Sequence, residues 1–316
     1  MHALVTGGLG YIGHAVTHDL TMAGWDVTIL SSRQATGSAP PPHGATVVYG
    51  DLLERDRLTQ IFAENDFDTV IHLAGLARAR ESFEMPLAYF DVNVGGTANL
   101  LRVMDALPDD RRMPTLVYTS TTLVYGSRVV GAVDENADPS PESPYADSKV
   151  AAERLILAHA TTGRLGAVIL RVFNVGGGID GVCDTDPTRI IPALLRVAAD
   201  DSKSATLVGN GTAMRDFVHV GDVARAIRMA TVGVRRGACP IYNIGSGVGS
   251  RIIDVFTCVE EVVGREFDIG HTPQEGAPGR LIADISYADR QLGWVPEQSD
   301  LRTIISDAWK FWPGRN

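Results

Sequence analysis

The sequence contains few cysteines, and they form no recognisable site. Cys183, Cys239 and Cys258 are the three cysteines of a 316-residue chain, and no two of them form a Cys-x-x-Cys pair. The eight histidines show no metal-ligand spacing either. Widely spaced cysteines exclude a disulfide framework and predict reduced thiols, so we expect a cytoplasmic protein without a metal cofactor.

Positive charge and long apolar runs are also scarce. Lysine and arginine number 28 against 38 acidic residues, which gives a formal net charge of −10 and a pI near 5.2. Nucleic-acid-binding proteins present a basic surface, so this class is excluded, although a few local arginines are enough to bind a diphosphate. No apolar run reaches the roughly 20 residues that span a bilayer, which predicts no membrane partner. The first predicted strand directly follows Met1, which predicts no signal peptide.

Apolar residues make up 45% of the chain, enough for the core of one large domain or of two closely joined ones. Short apolar runs alternate with amphipathic stretches. The predicted strands are 2–5, 27–30, 46–49, 69–73, 115–119 and 167–172. The predicted helices are 11–23, 55–64, 87–106, 145–161 and 190–199. This alternation predicts an α/β fold, a doubly wound parallel sheet with helices on both faces.

A glycine motif follows the first predicted strand. Gly7 permits a tight turn, Gly10 lets a pyrophosphate approach the backbone, and Gly13 lets the following helix pack closely on the strand. The helix that begins near Tyr11 and Ile12 offers free N–H groups and a partial positive charge to phosphates. Glycine-rich loops are common, but the strand–loop–helix context predicts a Rossmann-type dinucleotide site that contains these five residues.

A second motif lies on the helix predicted over 145–161. Tyr145 and Lys149 are four residues apart, so they lie on one helix face. A positive charge beside a phenol favours the phenolate, which lets the tyrosine transfer a proton nearer neutral pH. The alternative is an ordinary surface pair. With a dinucleotide site nearby, we interpret the motif as the proton-transfer group that accompanies hydride transfer to a nicotinamide.

With these motifs the chain resembles the extended short-chain dehydrogenase/reductases, and among them most nearly the UDP-galactose 4-epimerases. The resemblance covers almost the whole length. The segments that carry it are GDL at 50–52, VIHLAGL at 70–76, DVNVGGT at 91–97, VYTST at 117–121, VYG at 124–126, LRVFN at 170–174, RDFVHV at 215–220, YNIG at 242–245 and ADRQLGW at 288–294.

The resemblance implies two domains that each use separate segments of the chain. Residues 1–173 and 217–244 would form the dinucleotide-binding Rossmann domain. Residues 174–216 and 245–316 would form a smaller mixed α/β domain for a nucleotide sugar. Periodicity alone does not indicate this split.

The family pattern places a hydroxyl four residues before the tyrosine of the VYG segment. That position is Thr121, with Ser120 as a neighbouring substitute. We expect the hydroxyl to bond the reacting sugar oxygen and relay its proton; the alternative is a run of polar residues that merely ends a strand. Related 4,6-dehydratases carry an Asp-Glu pair at the next two positions, whereas this chain has Thr122 and Leu123. Dehydration is therefore disfavoured.

The end of the second strand bears on the choice of cofactor. NAD-binding relatives usually have an acid where this chain has Ser31, followed by Ser32 and Arg33. Serine removes the charge that repels a 2′-phosphate and Arg33 attracts one, so we expect NADP(H) rather than NAD(H). The alternative is that Arg33 is a solvated loop charge. The resemblance also assigns to the cofactor site Asp51, at the adenine, Asn93, near the lysine, and Leu52, Leu73, Ala74 and Gly75.

Asn174 and Arg215 match the family positions that contact the substrate diphosphate, and a guanidinium suits phosphate geometry. The alternative for Arg215 is a salt bridge with Asp216. Epimerases usually show Arg-Pro-Gly-Asp near the C-terminus, where this chain has APGR at 277–280, so Arg280 would supply the second arginine from a shifted position. Ile190 completes the expected substrate contacts.

Three hypotheses for the function stay open. The first is an epimerase acting at C4 of a nucleotide-linked hexose. The second is an NADPH-dependent reductase of a nucleotide-linked 4-keto-sugar, and the third is a non-catalytic dinucleotide sensor. Relatives also predict a homodimer through the helices over 87–106 and 145–161, with Leu100, Val103, Ile156 and Ala160 on their outer faces.

Overall fold

The computed structural model describes residues 1–32, 40–108, 110–127, 131–200, 206–273 and 279–315. Arg33 and the first two residues of the APGR run lie outside the described residues, so the predictions made for them stay predictions.

The strands form one seven-stranded sheet and several smaller sheets of short strands. In chain order they are β1 (His2–Thr6), β2 (Asp26–Ser31), β3 (Ala45–Tyr49), β4 (Thr69–His72), β5 (Thr115–Thr121), β6 (Ala132–Val133), β7 (Ala167–Val172), β8 (Asn174–Gly176), β9 (Gly178–Ile179), β10 (Val182–Cys183), β11 (Thr206–Val208), β12 (Met214–His219), β13 (Ile241–Ile244), β14 (Gly249–Arg251), β15 (Gly270–Thr272) and β16 (Arg280–Ala283).

Helices lie between most of the longer strands. In chain order they are α1 (Tyr11–Met22), α2 (Arg55–Glu64), α3 (Pro86–Phe90), α4 (Gly96–Asp105), α5 (Pro144–Ala160), α6 (Ile190–Ala199), α7 (Val220–Ala230), α8 (Ile252–Val263), α9 (Ser286–Leu292) and α10 (Leu301–Lys310). Short 3₁₀ turns cover Glu81–Phe83 and Thr122–Tyr125.

The main sheet has seven strands in the order β13-β7-β5-β4-β1-β2-β3. The pairings of β1 with β2 and β4, of β2 with β3, and of β5 with β4 and β7 are all parallel. Its central strands are buried along their whole length, as expected for a sheet covered on both faces. The predicted doubly wound, Rossmann-type α/β fold is confirmed.

The helix predicted over 87–106 is interrupted. It consists of α3, one π-helical turn at Asp91–Gly95, and α4. Within the π turn, the Asn93 side chain accepts from the Leu76 N–H (2.8 Å) and donates to the Leu76 carbonyl (3.0 Å). π-Helical turns inside α-helices are rare and are frequent at functional sites.

The chain divides into two compact units. Unit 1 comprises Met1–Gly126, Ala137–Val172 and Ala224–Tyr242, and unit 2 comprises Ser127–Asn136, Phe173–Val223 and Asn243–Asn316. Sequence analysis placed 127–136, 217–223 and the boundary residues Phe173, Asn243 and Ile244 in the first domain. They group with unit 2 because β6 pairs with β16, and β12 pairs with β8, β14 and β16. The assignment of one unit to the dinucleotide and the other to the sugar stays a prediction.

Each unit has its own apolar core. In unit 1 the core lies between the main sheet and its helices, with Leu4, Val70 and Leu116 fully buried. In unit 2, α6, α8 and α10 pack together through residues such as Leu194, Val255 and Ile304, all with no exposed surface. Each unit therefore buries apolar surface of its own, the main driving force for folding.

The residues predicted on the outer faces of the two helices are buried, so that prediction is wrong. Leu100, Val103, Ile156 and Ala160 have 0–5% of their surface exposed. Leu100, Val103 and Ile156 belong to the core of unit 1, because this side of α4 and α5 packs on the sheet and not on solvent. The exposed apolar side chains of this region lie on and before α3: Phe83, Met85, Leu87 and Phe90.

Two further features concern the whole described part of the chain. None of its helices is both long and apolar enough to cross a membrane. No group of three or more potential metal ligands is found among the described residues.

Burial raises the pKa of the Cys183 thiol to about 11 and that of Cys239 to about 12, so both stay protonated and unreactive at neutral pH.

Candidate active site

The loop between β1 and α1 has the geometry of a phosphate cradle. Gly7 adopts a φ of 73°, and a Cβ there would lie 2.9 Å from the Ala74 nitrogen. A Cβ on Gly13 would collide with the Gly7 carbonyl, so neither position accepts a side chain. Gly10 is exposed and occupies the N-cap of α1, where it has no side chain to bond the first N–H groups. A helix N-terminus carries N–H groups and a partial positive charge that suit an anion such as a dinucleotide pyrophosphate.

Tyr11 and Ile12 form the first turn of α1 and are half-buried. The carboxyl end of β2 lies beside β1 in the same sheet. There Ser31 is buried and its carbonyl accepts from the Gly50 N–H (3.1 Å), while Ser32 is exposed. Ligands of open α/β sheets bind at the carboxyl ends of the strands, where these residues lie.

The segments after β3 and β4 complete this edge of unit 1. Asp51 accepts from the Leu53 N–H (2.9 Å), and Leu52 is buried. After β4, Leu73 and Ala74 are half-buried, and the Ala74 N–H donates to Thr6 (3.1 Å). Gly75 is exposed, and a Cβ there would lie 2.7 Å from the Asn93 side-chain oxygen. The structure thus brings every described residue predicted to bind the cofactor to, or next to, one edge of one sheet.

Helix α5 presents the tyrosine and the lysine together. Ser143 caps its N-terminus by accepting from the Ala146 N–H (3.2 Å), and Pro144 occupies the first turn, where its missing N–H costs nothing. Tyr145 is 8% exposed, and its ring packs edge-on against the fully buried Tyr89, with centroids 6.1 Å apart. The helix start and this ring contact fix the direction of the phenol.

Contacts with strand β5 hold the Lys149 side chain in place. Its Nζ donates to the Thr119 carbonyl (2.7 Å) and lies 4.3 Å from the centre of the Tyr118 ring. Burial lowers the pKa of Lys149 to about 8, and the charge of Glu153 acts in the opposite direction. The ammonium is therefore still present at neutral pH, one helical turn from the tyrosine, where it favours the phenolate.

The two candidate hydroxyls at the carboxyl end of β5, those of Thr121 and Ser120, make different contacts. Thr121 is 8% exposed and caps the following 3₁₀ turn, its oxygen accepting from the Leu123 N–H (3.3 Å). Its hydroxyl hydrogen is not used in that contact. The Ser120 hydroxyl instead donates to the Glu153 carboxylate at 2.5 Å. Of the two, Thr121 is the one with a hydrogen to give to a ligand.

Asn93 links the cofactor edge to α5. Its side-chain nitrogen donates to Ser148 (2.9 Å), the residue before the lysine. The hydroxyl of Ser148 in turn donates to the Tyr145 carbonyl (2.7 Å).

His72, on β4, bonds Thr6 (2.8 Å) and Thr97 (3.0 Å) through its two ring nitrogens. Burial lowers its pKa to about 3, so it is a neutral structural residue.

Three residues were missed by sequence reasoning. Glu153 on α5 and Arg171 on β7 form a buried ion pair, and Tyr89 packs on Tyr145. The spacing of four residues between Lys149 and Glu153 was a usable signal, because it places Glu153 on the same helix face.

In unit 2, the residues predicted to bind the diphosphate lie on adjacent strands. Asn174 is opposite Phe217 in the β8–β12 pairing, and Met214 is opposite Arg280 in the β12–β16 pairing. The Asn174 amide donates to the Asp216 carbonyl (2.8 Å). Arg280 is exposed.

The guanidinium of Arg215 donates to the carbonyls of Met214 (2.8 Å) and Gly279 (3.0 Å). In the described part of the chain it makes no salt bridge with Asp216, whose buried carboxylate accepts instead from backbone N–H groups, including that of Ala283 (3.0 Å). The alternative interpretation of Arg215 is therefore wrong. Burial lowers the pKa of Arg215, so a phosphate would relieve a cost that the buried charge now carries. Ile190 begins α6 and packs on the core of unit 2.

A parallel sheet with a glycine cradle at one edge, and a Tyr-x-x-x-Lys helix beside it, defines a nicotinamide-dependent protein of the extended short-chain dehydrogenase/reductase type. Residues 3–245 match the NAD dependent epimerase/dehydratase family. The chain belongs to this family.

Individual relatives are similar over nearly the full length. The UDP-glucose 4-epimerase of Corynebacterium glutamicum is 33% identical over 98% of this chain and 95% of its own length. That of Streptomyces lividans is 35% identical over the same shares. A crystal structure of UDP-glucose-4-epimerase from Stenotrophomonas maltophila, with bound NAD and formylated UDP-arabinopyranose, has a TM-score of 0.90 and 30% identity, and covers 98% of this chain and 97% of its own.

Proposed function

We propose that this protein is a nucleotide-sugar epimerase that inverts C4 of a nucleotide-diphosphate hexose through a transient 4-keto sugar. The observation that carries the proposal is the cluster of Tyr145, Lys149 and Thr121 at the carboxyl end of β5, with no carboxylate at 122–123 to drive loss of water. The similarity to UDP-glucose 4-epimerases along the whole chain supports it.

The chain supplies the proton chemistry. The glycine loop, Asn93 and Lys149 would hold a nicotinamide cofactor, which would supply the acceptor for the C4 hydride and its donor once the keto sugar has turned over to present the other face of C4. Tyr145 takes the proton of the 4-hydroxyl as phenolate and gives it back when the hydroxyl re-forms. Lys149 stabilises that phenolate, and Thr121 donates to the reacting oxygen and holds it near the phenol. The complete set of three residues disfavours the non-catalytic sensor.

Unit 2 supplies the residues proposed to bind the substrate. Asn174, Arg215 and Arg280 hold the diphosphate, because an amide and two guanidiniums on adjacent strands match its charge and oxygens. Ile190, at the start of α6, is the apolar residue proposed to contact the substrate.

NAD(H) is the cofactor that we propose. The Stenotrophomonas relative has bound NAD, whereas the expectation of NADP(H) depends on Ser31 and on Arg33, which lies outside the described residues. Ser31 is nevertheless an uncharged residue at the end of β2, and this observation keeps the keto-sugar reductase as a second candidate. The mass and stoichiometry of cofactor released by gentle denaturation separate the two. Tightly held NAD at one per chain supports the epimerase, and an empty or freely exchanging NADP(H) site supports the reductase.

A cytoplasmic homodimer is the proposed state of the protein. The three cysteines are free thiols, as in a reducing compartment. Leu87 and Phe83 are 79% and 64% exposed and lie close together in sequence with Phe90, which supports a contact between copies through α3. Light scattering at micromolar concentration should report a dimer, and Leu87→Lys should shift it towards monomer. A wild-type monomer would refute the proposal.

The function is tested by incubating the purified protein with UDP-galactose and following UDP-glucose by proton NMR. Interconversion to a constant ratio from either sugar, without net reduction of added cofactor, is expected. Thr121→Val keeps the shape of the side chain but removes its hydroxyl, and it should slow the reaction. No interconversion by cofactor-loaded protein would defeat the proposal.

A further inference from the structure

Beneath the proton-transfer residues lies a buried ion pair that takes no part in the chemistry described so far. Arg171 Nη2 is 2.7 Å from Glu153 Oε2, and its Nε is 3.2 and 3.3 Å from the two carboxylate oxygens. The two side chains are 4% and 3% exposed. Apolar residues of equal volume usually stabilise a fold as well as such a pair does, so stability alone does not account for it.

The pair is tied to both elements that carry the site. Glu153 follows Lys149 by one turn of α5, and Arg171 is opposite Ser120 in the β5–β7 pairing. Ser120 donates to Glu153 at 2.5 Å. Arg171 also donates to the Tyr125 hydroxyl (3.0 Å), just after the same strand end.

Ser120 lies between Thr119 and Thr121, the two residues of β5 that contribute to the proposed site. The carbonyl before it, that of Thr119, accepts from Lys149. The residue after it, Thr121, offers the hydroxyl proposed to bond the reacting oxygen. A shift of Ser120 along the strand direction therefore moves both of them relative to α5.

Electrostatic interactions connect the same residues. In the described part of the chain, the titratable groups that face Lys149 or its neighbour Glu153 are Tyr145 and Glu153 on α5, His72 on β4, Tyr118 on β5, Arg171 on β7 and the thiol of Cys239, which burial keeps protonated. Burial keeps His72 neutral, with a pKa of about 3, and raises the pKa of Tyr118 well above its usual value. Burial opposes the charge of Arg171, but its bonds to Glu153 outweigh this and raise its pKa. Glu153 is thus the carboxylate that favours the charged form of Lys149.

We propose that Glu153 and Ser120, anchored by Arg171, are positioning residues for the reaction: they lock the end of β5 to α5 and so hold the Lys149 ammonium and the Thr121 hydroxyl in place around Tyr145. The kinetic part of this inference rests on the proposed epimerase function. The electrostatic part does not.

Lysine titration tests the electrostatic part without any substrate. The full sequence has three lysines, Lys149, Lys203 and Lys310, so ¹³C labelling of lysine gives three signals, and Lys149→Ala identifies the relevant one. Glu153→Gln keeps the size of the side chain but removes its charge, and should lower the pH at which Lys149 titrates by about one unit. Asp19→Asn is the control, because it breaks an ion pair with Arg228 elsewhere in unit 1 and should leave the titration unchanged. An unchanged titration in Glu153→Gln overturns the proposal.

Kinetics test the positional part. Ser120→Ala keeps the Glu153–Arg171 pair, and should lower kcat by about 10- to 100-fold with little change in KM for UDP-galactose and no change in the Lys149 titration. Thr17→Val is the matched control, since it removes a buried hydroxyl that has no partner among the described residues. Its kcat should equal that of the wild type.

The outcomes are distinguishable. A Ser120→Ala protein that is folded by circular dichroism and retains wild-type kcat overturns the proposal, and this result decides the matter even if Glu153→Gln does not fold. A wild-type protein without epimerase turnover defeats the proposed function instead, and leaves the lysine titration as a valid test of the electrostatic part.

Discussion

The proton-transfer residues of unit 1 and the phosphate-binding candidates of unit 2 are held in place in different ways. In unit 1, Tyr145 and Lys149 share one helix face, and the lysine is further fixed by a carbonyl and a ring of β5. In unit 2, Asn174 and Arg215 come from separate strands and bond mainly backbone carbonyls. The first arrangement fixes the direction of a proton transfer, whereas the second presents positive charge.

This difference predicts separate kinetic effects. Changes in the first region should lower kcat, because those groups are proposed to act on the reacting atoms. Changes in the second should raise KM, because those groups are proposed to bind a part of the substrate that does not react. The predictions below are arranged from the largest expected effect to the smallest.

Removing the phenol oxygen should have the largest effect. Tyr145→Phe is expected to lower kcat by about 10²- to 10⁴-fold, the usual contribution of a general acid–base group, and to leave NAD binding unchanged by calorimetry. Tyr118→Phe is a matched control, because it removes a buried phenol oxygen that has no partner in the described part of the chain and keeps the ring next to Lys149. A Tyr145→Phe enzyme that retains more than about a tenth of the wild-type rate would contradict the assignment, since general acid–base loss is larger than that.

Removing the buried guanidinium of unit 2 should act on binding. A charge-assisted contact to phosphate is worth about 1.5–3 kcal/mol, so Arg215→Ala should raise KM for UDP-galactose by roughly 10- to 150-fold at nearly constant kcat. Arg251 is a suitable control: it is opposite Met214 on the neighbouring strand, but it is exposed and paired with Asp254. If Arg251→Ala raises KM as much as Arg215→Ala does, the phosphate assignment is wrong.

The pH dependence of kcat should be set by the titratable groups of unit 1 and not by those of unit 2. The pKa of Lys149 is lowered to about 8 by burial, so its ammonium is lost as the pH rises through that value and the phenolate loses its stabilising charge. We expect kcat to fall about tenfold for each pH unit above that value, while KM stays nearly constant. The reverse sign, a kcat that keeps rising well beyond pH 8, would show that the lysine charge is not required.

The smallest effect concerns the choice of cofactor. Ser31→Asp should tighten NAD binding a few-fold, because a carboxylate accepts from both ribose hydroxyls, and should weaken NADP binding through repulsion of the 2′-phosphate. Dissociation constants of the wild type and the variant, with Arg33→Ala as a companion, measure this. Wild-type protein that prefers NADP, and loses that preference in Arg33→Ala, would favour the reductase.

The sequence predicted what depends on local spacing. The parallel strands, α2 and α6 follow from apolar periodicity, and Tyr145 with Lys149 follows from a four-residue interval on one helix. The glycine cradle is equally local. These features need no knowledge of what packs against them.

What the sequence did not predict depends on contacts between distant residues. The π turn at Asp91–Gly95 contains Asn93, whose side chain bonds Leu76 and Ser148, residues distant in sequence. The burial of Leu100 and Ile156 was missed because apolar residues on a helix do not reveal whether they face the sheet or another copy of the chain. The Ser120–Glu153 hydrogen bond joins a strand to a helix, and no sequence motif indicates it.

The central claim is that hydride leaves C4 of the sugar and returns to C4 of the same molecule. Its most direct test is to convert UDP-galactose deuterated at C4, in the presence of unlabelled cofactor, and to locate the label by NMR and mass spectrometry. The account predicts UDP-glucose that retains the deuterium at C4, with none released to water or accumulated on free cofactor. Loss of the label to solvent, or product formed only with stoichiometric consumption of reduced cofactor, would contradict it.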